Sequence, residues 1–515
     1  MRQQVSKSDG HSPIVQKPIN LIGTIYYKFS QAPNFAVAAA TIFLIGLFYL
    51  ATIRTGQGWG DDFAQYIQEA KDISHGVSYA RSNYVFNPQN ADVGPQTYPP
   101  GYPLLLVPVY LVWGMNFAVM KVENVVFFLS FLFLFYMLIR DELQALFAIV
   151  ALGIVGLNSA LWLYKDNVGS EMAFIFFLFL CFFVIRRSGV TENQGFSILT
   201  CLGISLLIFF TFEVKTFGIL MVPALLACEA WRKRKAPWSS IAVAVLFGCF
   251  YFAQALLIHG SRGYGEMIRV STLSPAWILR SAHDYGTELS HFWENGYSKL
   301  LRIVTFVFLS LLALFGYSRK VSTRLTACEI YLPLHLAVSI VWPFPGGLRY
   351  LIPIFPLYVF YILLGLKDFR ARYPVNRLER SSLAVLLLLV ATSYAGSYSK
   401  VDFRTIPGGF GNTKCMEFFR YVREKTDPTS VFIFRKPKAL GLFGDRSTSV
   451  YPASGSDSEL WNYINSVHAD YVVESPIDDP FWDEFLDRNR TRLTQAYSNG
   501  DFKVYRVPRT VSGGI

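Results

Sequence analysis

The sequence predicts an α-helical polytopic membrane protein of about eleven transmembrane helices, with a small α/β domain at its C-terminal end. Three observations predict it. Only 16% of the 515 residues are charged and 52% are hydrophobic, whereas a soluble surface uses roughly 25% charged residues. The apolar residues, with a mean hydropathy over the chain of +0.33, gather into runs long enough to cross a bilayer. The basic residues lie between those runs. Of a net charge of 47 − 36 = +11, residues 400–515 hold 16 Lys+Arg against 15 Asp+Glu, a surplus of +1, so +10 belongs to the apolar part. Basic loops on one membrane face explain this excess, and no nucleic-acid partner is needed. Six cysteines are too few for a disulfide scaffold. Cys181, Cys201, Cys228, Cys249 and Cys328 fall in or beside apolar runs as small packing residues, and Cys415 stands alone in the tail.

Taken in order, residues 1–33 form a polar arm, basic through Arg2, Lys7, Lys17 and Lys28. No small-residue cleavage site precedes the apolar run that follows, so the arm reads as a retained cytoplasmic anchor. Spans are expected at 35–53, 122–139, 143–164, 172–185, 196–212, 216–230, 239–258, 301–317, 327–342, 350–366 and 381–396. A twelfth apolar run, 102–119, opens on Pro99, Pro100 and Pro103, carries Pro108 and Gly114, and is short once trimmed. Basic clusters at 186–187, 232–235, 319–324 and 367–380 are separated by two spans each, so they share one side, the cytoplasm. An even number of crossings must then separate Lys28 from Arg186, which leaves 102–119 as a helix at the outer surface. The multi-span domain is therefore 34–397, with outer loops at 54–121, 163–171 and 259–300, and 398–515 is extracytoplasmic. In that tail, 413–425 and 456–468 read as helices and 430–434, 471–474 and 502–507 as strands. Without a Gly-rich phosphate loop, the tail is expected to serve packing or contact with an acceptor.

Inner loops are short and the spans nearly lack acidic residues, so any chemistry belongs at the outer surface. The same scarcity, with no internal repeat, argues against a lipid or solute transporter. A non-catalytic assembly protein is the other competing class, and it would tolerate loss of both members of the first acidic pair. That pair lies in Trp59-Gly60-Asp61-Asp62-Phe63-Ala64-Gln65-Tyr66. One carboxylate could accept a proton from an attacking hydroxyl while the other tunes it; alternatively, Asp61 simply caps a helix over 62–73. Glu171, in Lys165-Asp166-Asn167-Val168-Gly169-Ser170-Glu171, is either catalytic or a helix-start carboxylate favoured by the dipole. Arg349 either binds phosphate or reaches for lipid headgroups. His259, His283 and His291 match no zinc spacing and read as surface residues.

The Asp61-Asp62 loop, followed by Thr97-Tyr98-Pro99-Pro100-Gly101-Tyr102-Pro103, resembles the GT-C superfamily of membrane glycosyltransferases. Within it, the likeness is to bacterial relatives of protein O-mannosyltransferases and of the lipid A aminoarabinose transferase. Gly347-Leu348-Arg349-Tyr350-Leu351-Ile352-Pro353 is similar to a segment that opens a late helix in these enzymes. The resemblance implies a GT-C fold in the plasma (inner) membrane. It also implies inverting transfer of a sugar from a polyprenyl-phosphate donor to a lipid, glycan or protein acceptor. Asp61, Asp62 and Glu171 would be catalytic, and Tyr66, Tyr98, Tyr102, Lys165, Lys215, Arg349 and Tyr350 would bind substrate, with membrane lipids around them. The resemblance fixes no cofactor, and Asp61, Asp62 and Glu171 could hold Mg²⁺ or Mn²⁺. The sequence departs from the family where Asp62 stands at a position many relatives fill with Glu. It also has no Trp-Trp-Asp signature, which disfavours the oligosaccharyltransferase branch, and no evident acceptor motif of the protein mannosyltransferases.

Overall fold

A computed structural model describes residues 33–78, 82–192, 197–257, 263–270, 274–344, 346–372 and 376–508. The arm over 1–32 and His259 lie outside the described residues. Each apolar run expected to span is helical: α1 (Pro33–Ala51), α4 (Phe117–Ile139), α5 (Ala145–Gly156) with α6 (Ser159–Tyr164), α7 (Glu171–Ser188), α8 (Ile198–Val214), α9 (Met221–Lys233), α10 (Trp238–Leu257), α13 (Lys299–Thr323), α14 (Ala327–Val341), α15 (Phe355–Arg372) and α16 (Asn376–Tyr398). Among the described residues, five helical stretches are long and apolar enough to cross a membrane, at 34–51, 117–139, 238–257, 299–323 and 352–372. The ambiguous run is the 13-residue α3 (Gly101–Trp113), and a new helix starts at Phe117. At 1.5 Å per residue α3 reaches about 20 Å, short of a hydrocarbon core of ~30 Å.

The run over 143–164 is broken rather than continuous. Asn158 sits at the break, where its Oδ1 accepts from the Ala160 and Leu161 N–H groups and caps α6. Its Nδ2 donates to the Phe292 carbonyl and the Tyr394 hydroxyl, and the Tyr394 and Tyr398 hydroxyls donate to the freed Ile154 and Leu157 carbonyls. Helices α13 and α15 approach closely because Gly316 and Gly365 face the partner backbone: a Cβ on either would strike the Tyr361 or Leu312 carbonyl. Gly101 does the same for α3, where a Cβ would fall on the Glu213–Val214 backbone. That contact fixes the Tyr98–Tyr102 segment beside Lys215.

The long loops are themselves helical: the first holds α2 (Asp62–Ser74) before α3, and the third holds α11 (Tyr264–Val270) and α12 (Pro275–His291). His283 and His291 lie along α12, where His291 meets only Glu288 at 3.4 Å.

The tail is a five-stranded mixed sheet of order β2-β1-β3-β5-β4, from β1 (Val431–Ile433), β2 (Ser447–Ser449), β3 (Tyr471–Glu474), β4 (Thr494–Ser498) and β5 (Lys503–Arg506). Strands β2, β1 and β3 run parallel, and β3, β5 and β4 antiparallel. Helices α17 (Thr413–Lys425), α18 (Pro437–Gly444), α19 (Asp457–Ser466) and α20 (Pro480–Arg488) accompany the sheet. The first long loop is stitched to the β2 edge. Val85 N–H donates to the Thr448 carbonyl (2.7 Å) and Thr448 N–H to the Asn83 carbonyl (2.8 Å). Asn87 and Asn90 side chains donate to the Val450 and Tyr451 carbonyls, each at 2.9 Å. These bonds cover an otherwise open sheet edge and press α18 against the start of α2.

Candidate active site

Asp61 occupies the residue before α2, with helical φ and ψ of −70° and −24°, and its side chain makes no capping hydrogen bond. The carboxyl instead turns toward the tail, where the Ala439 N–H near the start of α18 donates to Oδ1 at 3.3 Å. The capping reading of Asp61 is therefore not what the fold uses. The residue is only 8% exposed. Burial pushes its carboxyl up to about 6, against the pull of Lys436, Lys438 and the Ala439 N–H.

Asp62 lives in a different field. Arg349 Nη1 lies 2.6 Å from its Oδ2, and the Tyr98 hydroxyl donates to Oδ1 at 2.5 Å. Burial alone would raise this carboxyl, but Arg349 beside it, then Lys438 and Tyr98, hold it well below the usual carboxylate range. Adjacent aspartates thus have their proton affinities driven apart, a common arrangement where one carboxylate must take a proton and the other must stay charged.

Arg349 continues the chain of charges. Its Nε donates to Glu171 Oε1 at 3.1 Å, and Lys215 Nζ donates to the same oxygen at 2.8 Å. On the other side, Lys438 Nζ donates to the Tyr98 hydroxyl at 3.1 Å. Lys215, Glu171, Arg349, Asp62, Tyr98 and Lys438 form one connected network drawn from five separate segments. Tyr66 packs between Tyr98 and Tyr102, with ring centroids 4.7 and 4.9 Å away, and its hydroxyl lies 3.3 Å from Ser170 Oγ. The Tyr102 hydroxyl donates to Asn124 Oδ1 at 3.5 Å. Tyr350 lies under Arg349 and beside Phe217.

Lys165 is not brought into this network. It is fully buried, donates to Asp166 at 2.7 Å, and lies 3.9 Å over the Trp162 ring. Asp166 also takes the Arg54 backbone and side chain, so this group anchors the loop leading to Asp61. Conversely, Lys436 and Lys438 were not foreseen as site residues. The only signal was Lys436-Pro437-Lys438 directly after a strand, since proline at the first helical position marks a helix start.

Two cavities meet at Arg349. One, of about 510 Å³, is polar and lined by Asp61, Asp62, Asn167, Arg349, Lys436 and Asp479, among others. The second, of about 190 Å³, is largely apolar and lined by Phe217, Leu220, Val338, Trp342 and Tyr350, with Lys215, Tyr66 and Arg349 at its polar end. The donor set does not suit a divalent cation at Asp61, Asp62 and Glu171. Arg349 and Lys215 already neutralise Asp62 and Glu171, and the described residues contain no group of three such ligands placed to hold a metal ion.

No protein-family model matches the sequence, and no curated protein sequence matches it significantly. Solved structures do match. The ArnT structure from Cupriavidus metallidurans bound to undecaprenyl phosphate aligns at 11% identity and TM-score 0.53, over 93% of this chain and 99% of that one. The archaeal oligosaccharyltransferase AglB from Archaeoglobus fulgidus, in complex with an inhibitory peptide and a dolichol-phosphate, aligns at 11% identity and TM-score 0.56, over 93% and 75%. The mycobacterial arabinofuranosyltransferase AftD aligns at 13% identity and TM-score 0.51, over 92% and 41%. The fold is that of GT-C glycosyltransferases, as the motifs around Asp61 and Arg349 imply. An oligosaccharyltransferase is among the matches, so the fold alone does not separate the branches.

Proposed function

We propose that this chain is an inverting glycosyltransferase that moves a sugar from a polyprenyl-phosphate donor to an acceptor hydroxyl on the outer face of a membrane. One observation carries the reading: Arg349 stands between an apolar cavity and a polar one, bonded to Asp62. A lipid-linked phosphate needs that junction. Its prenyl chain seeks apolar walls, its phosphate seeks cations, and its sugar must face an acceptor approaching through water. Structures of this fold that hold undecaprenyl phosphate or dolichol-phosphate support such a donor.

In the proposed reaction Asp61 accepts the proton of the acceptor hydroxyl as that oxygen attacks the anomeric carbon. The bond to the carrier phosphate breaks on the opposite face, its electron pair leaving with the polyprenyl phosphate, and the anomeric centre inverts. A carboxyl held at about 6 is ionised near neutral pH yet basic enough to assist. The departing phosphate needs positive charge rather than an acid. A guanidinium has five N–H donors, and Asp62 and Glu171 each engage a separate nitrogen of Arg349, which leaves donors for phosphate. Lys215 stands at the same end of the apolar cavity. Asp62 then aligns Arg349, and the basic clusters between the apolar runs, expected on the cytoplasmic side, support an outer position for both aspartates.

The test is to incubate membranes containing the protein with a panel of radiolabelled polyprenyl-phosphate sugars and follow which label moves. Asp61→Asn should abolish transfer while leaving the protein folded and lipid-bound. Full activity in that variant removes the base assignment.

A further inference from the structure

The wall of the polar cavity facing Asp61 belongs to the C-terminal domain and the first long loop. It carries Asn90, Asp92, Arg435, Lys436, Asp479 and Phe481. Phe481 is the one aromatic ring among the described lining residues; it is half-buried, packing against the domain core while part of it borders the cavity. Its orientation is fixed from behind. Tyr451 meets it edge-on (5.6 Å between centroids, 86°), and Tyr451 is itself stacked on the fully buried Trp482 at 4.3 Å. Asp479 is held the same way, accepting from the Tyr451 hydroxyl and from Arg435 Nε, each at 3.2 Å. The wall thus sets a held aromatic ring beside an oriented carboxylate.

We infer that this wall is a binding site for a neutral carbohydrate acceptor, resting on the transferase reading above. A pyranose presents C–H groups on its faces and hydroxyls at its edge. Phe481 matches the first, and Asn90, Asp92 and Asp479 match the second. Charge favours a neutral glycan over a phosphorylated one. Arg349 compensates Asp62 and Arg435 compensates Asp479, and Lys436 acts on Asp61. With Arg349 assigned to the donor's phosphate, no cation is left in excess for a second phosphate on the acceptor. The polar lining does not suit an acyl chain, and a volume of about 510 Å³ is within the usual ~300–1,000 Å³ of small-molecule sites.

The experiment uses the full chain in nanodiscs and saturation-transfer NMR against methyl glycosides and trisaccharides of glucose, galactose, mannose and N-acetylglucosamine. At least one glycan should show saturation on one C–H face. Phe481→Ala should weaken that binding about tenfold, as loss of a central aromatic anchor does. Phe481→Trp should retain it, and Asp479→Asn should weaken it with Phe481 intact, which covers the case in which the alanine variant misfolds. Undecaprenyl phosphate binding should be unchanged in all three. Absence of saturation on every glycan, or wild-type affinity in Phe481→Ala, overturns the inference. So does radiolabel moving only onto peptide or phospholipid, which leaves the transferase reading intact. Glycan binding that depends on Phe481, with no transfer from any donor, upholds the sugar site and removes the transferase reading.

Discussion

Lys436→Met isolates the electrostatics of the proposed base. Lys436 is half-buried at the cavity wall and is the strongest cation lowering the Asp61 carboxyl, so replacing it with an apolar side chain of similar length spares the packing. With the carboxyl at about 6, about nine-tenths of Asp61 is ionised at pH 7. Removing a nearby opposite charge raises a carboxyl by about one pH unit or more. Near 7, only about half remains ionised at pH 7. The acid limb of the kcat/KM profile should therefore move from about pH 6 up by about one unit, with activity at pH 7 falling about twofold. The two enzymes should converge above about pH 8.5, where both are fully ionised. The readout is radiolabel transfer in detergent across pH 5 to 9, with the limb positions compared. A pure loss of acceptor affinity would scale the profile without moving that limb. A limb that stays put, or moves to lower pH, refutes Asp61 as the base.

Arg349→Lys keeps the charge but cannot bridge Asp62 and Glu171 at once. Transfer should fall between about tenfold and a hundredfold, measured as initial rates at saturating acceptor. Glu69 gives a stability signature. It is fully buried, accepts from Gln65 and from the Tyr98 N–H, and burial raises its carboxyl from the ordinary 4.5 to about 8. The fold therefore binds more protons than the unfolded chain, so Glu69's contribution is fully present below about 4.5 and is lost as pH rises toward 8. Glu69→Gln should flatten the fall of Tm over that window, checked by thermal unfolding in one detergent at several pH values. An unchanged slope would show that Glu69 does not carry it.

The helices are legible because each lies in a mostly apolar run, although the break at Asn158 inside 143–164 shows only in the fold, and Asp61, Glu171 and Arg349 are legible because polar residues at the ends of such runs stand out. Lys165 misled for the same reason: a lysine beside a helix end looks available, yet only the fold reveals Asp166 and Trp162 closing around it. In the tail, 413–425 and 471–474 were read to the residue. The strand Ser447–Ser449 was invisible, since serine and threonine carry no apolar signal and gain their burial from the loop lying over them. The eight-residue α18 is buried on every side and has no amphipathic face to detect. Lys438 was hidden with it, because its partners Tyr98 and Asp62 lie more than 300 positions earlier.

The stitching of residues 83–90 to 448–451 also sets an order of assembly. A ribosome adding roughly 5 to 20 residues per second needs some 20 to 70 s to make the intervening stretch. Throughout that interval Asp61 lacks its Ala439 neighbour and the segment 83–90 has no sheet edge to bond. A nascent or prematurely terminated chain is thus unable to close the pocket, and competence arrives only with the last portion of the polypeptide.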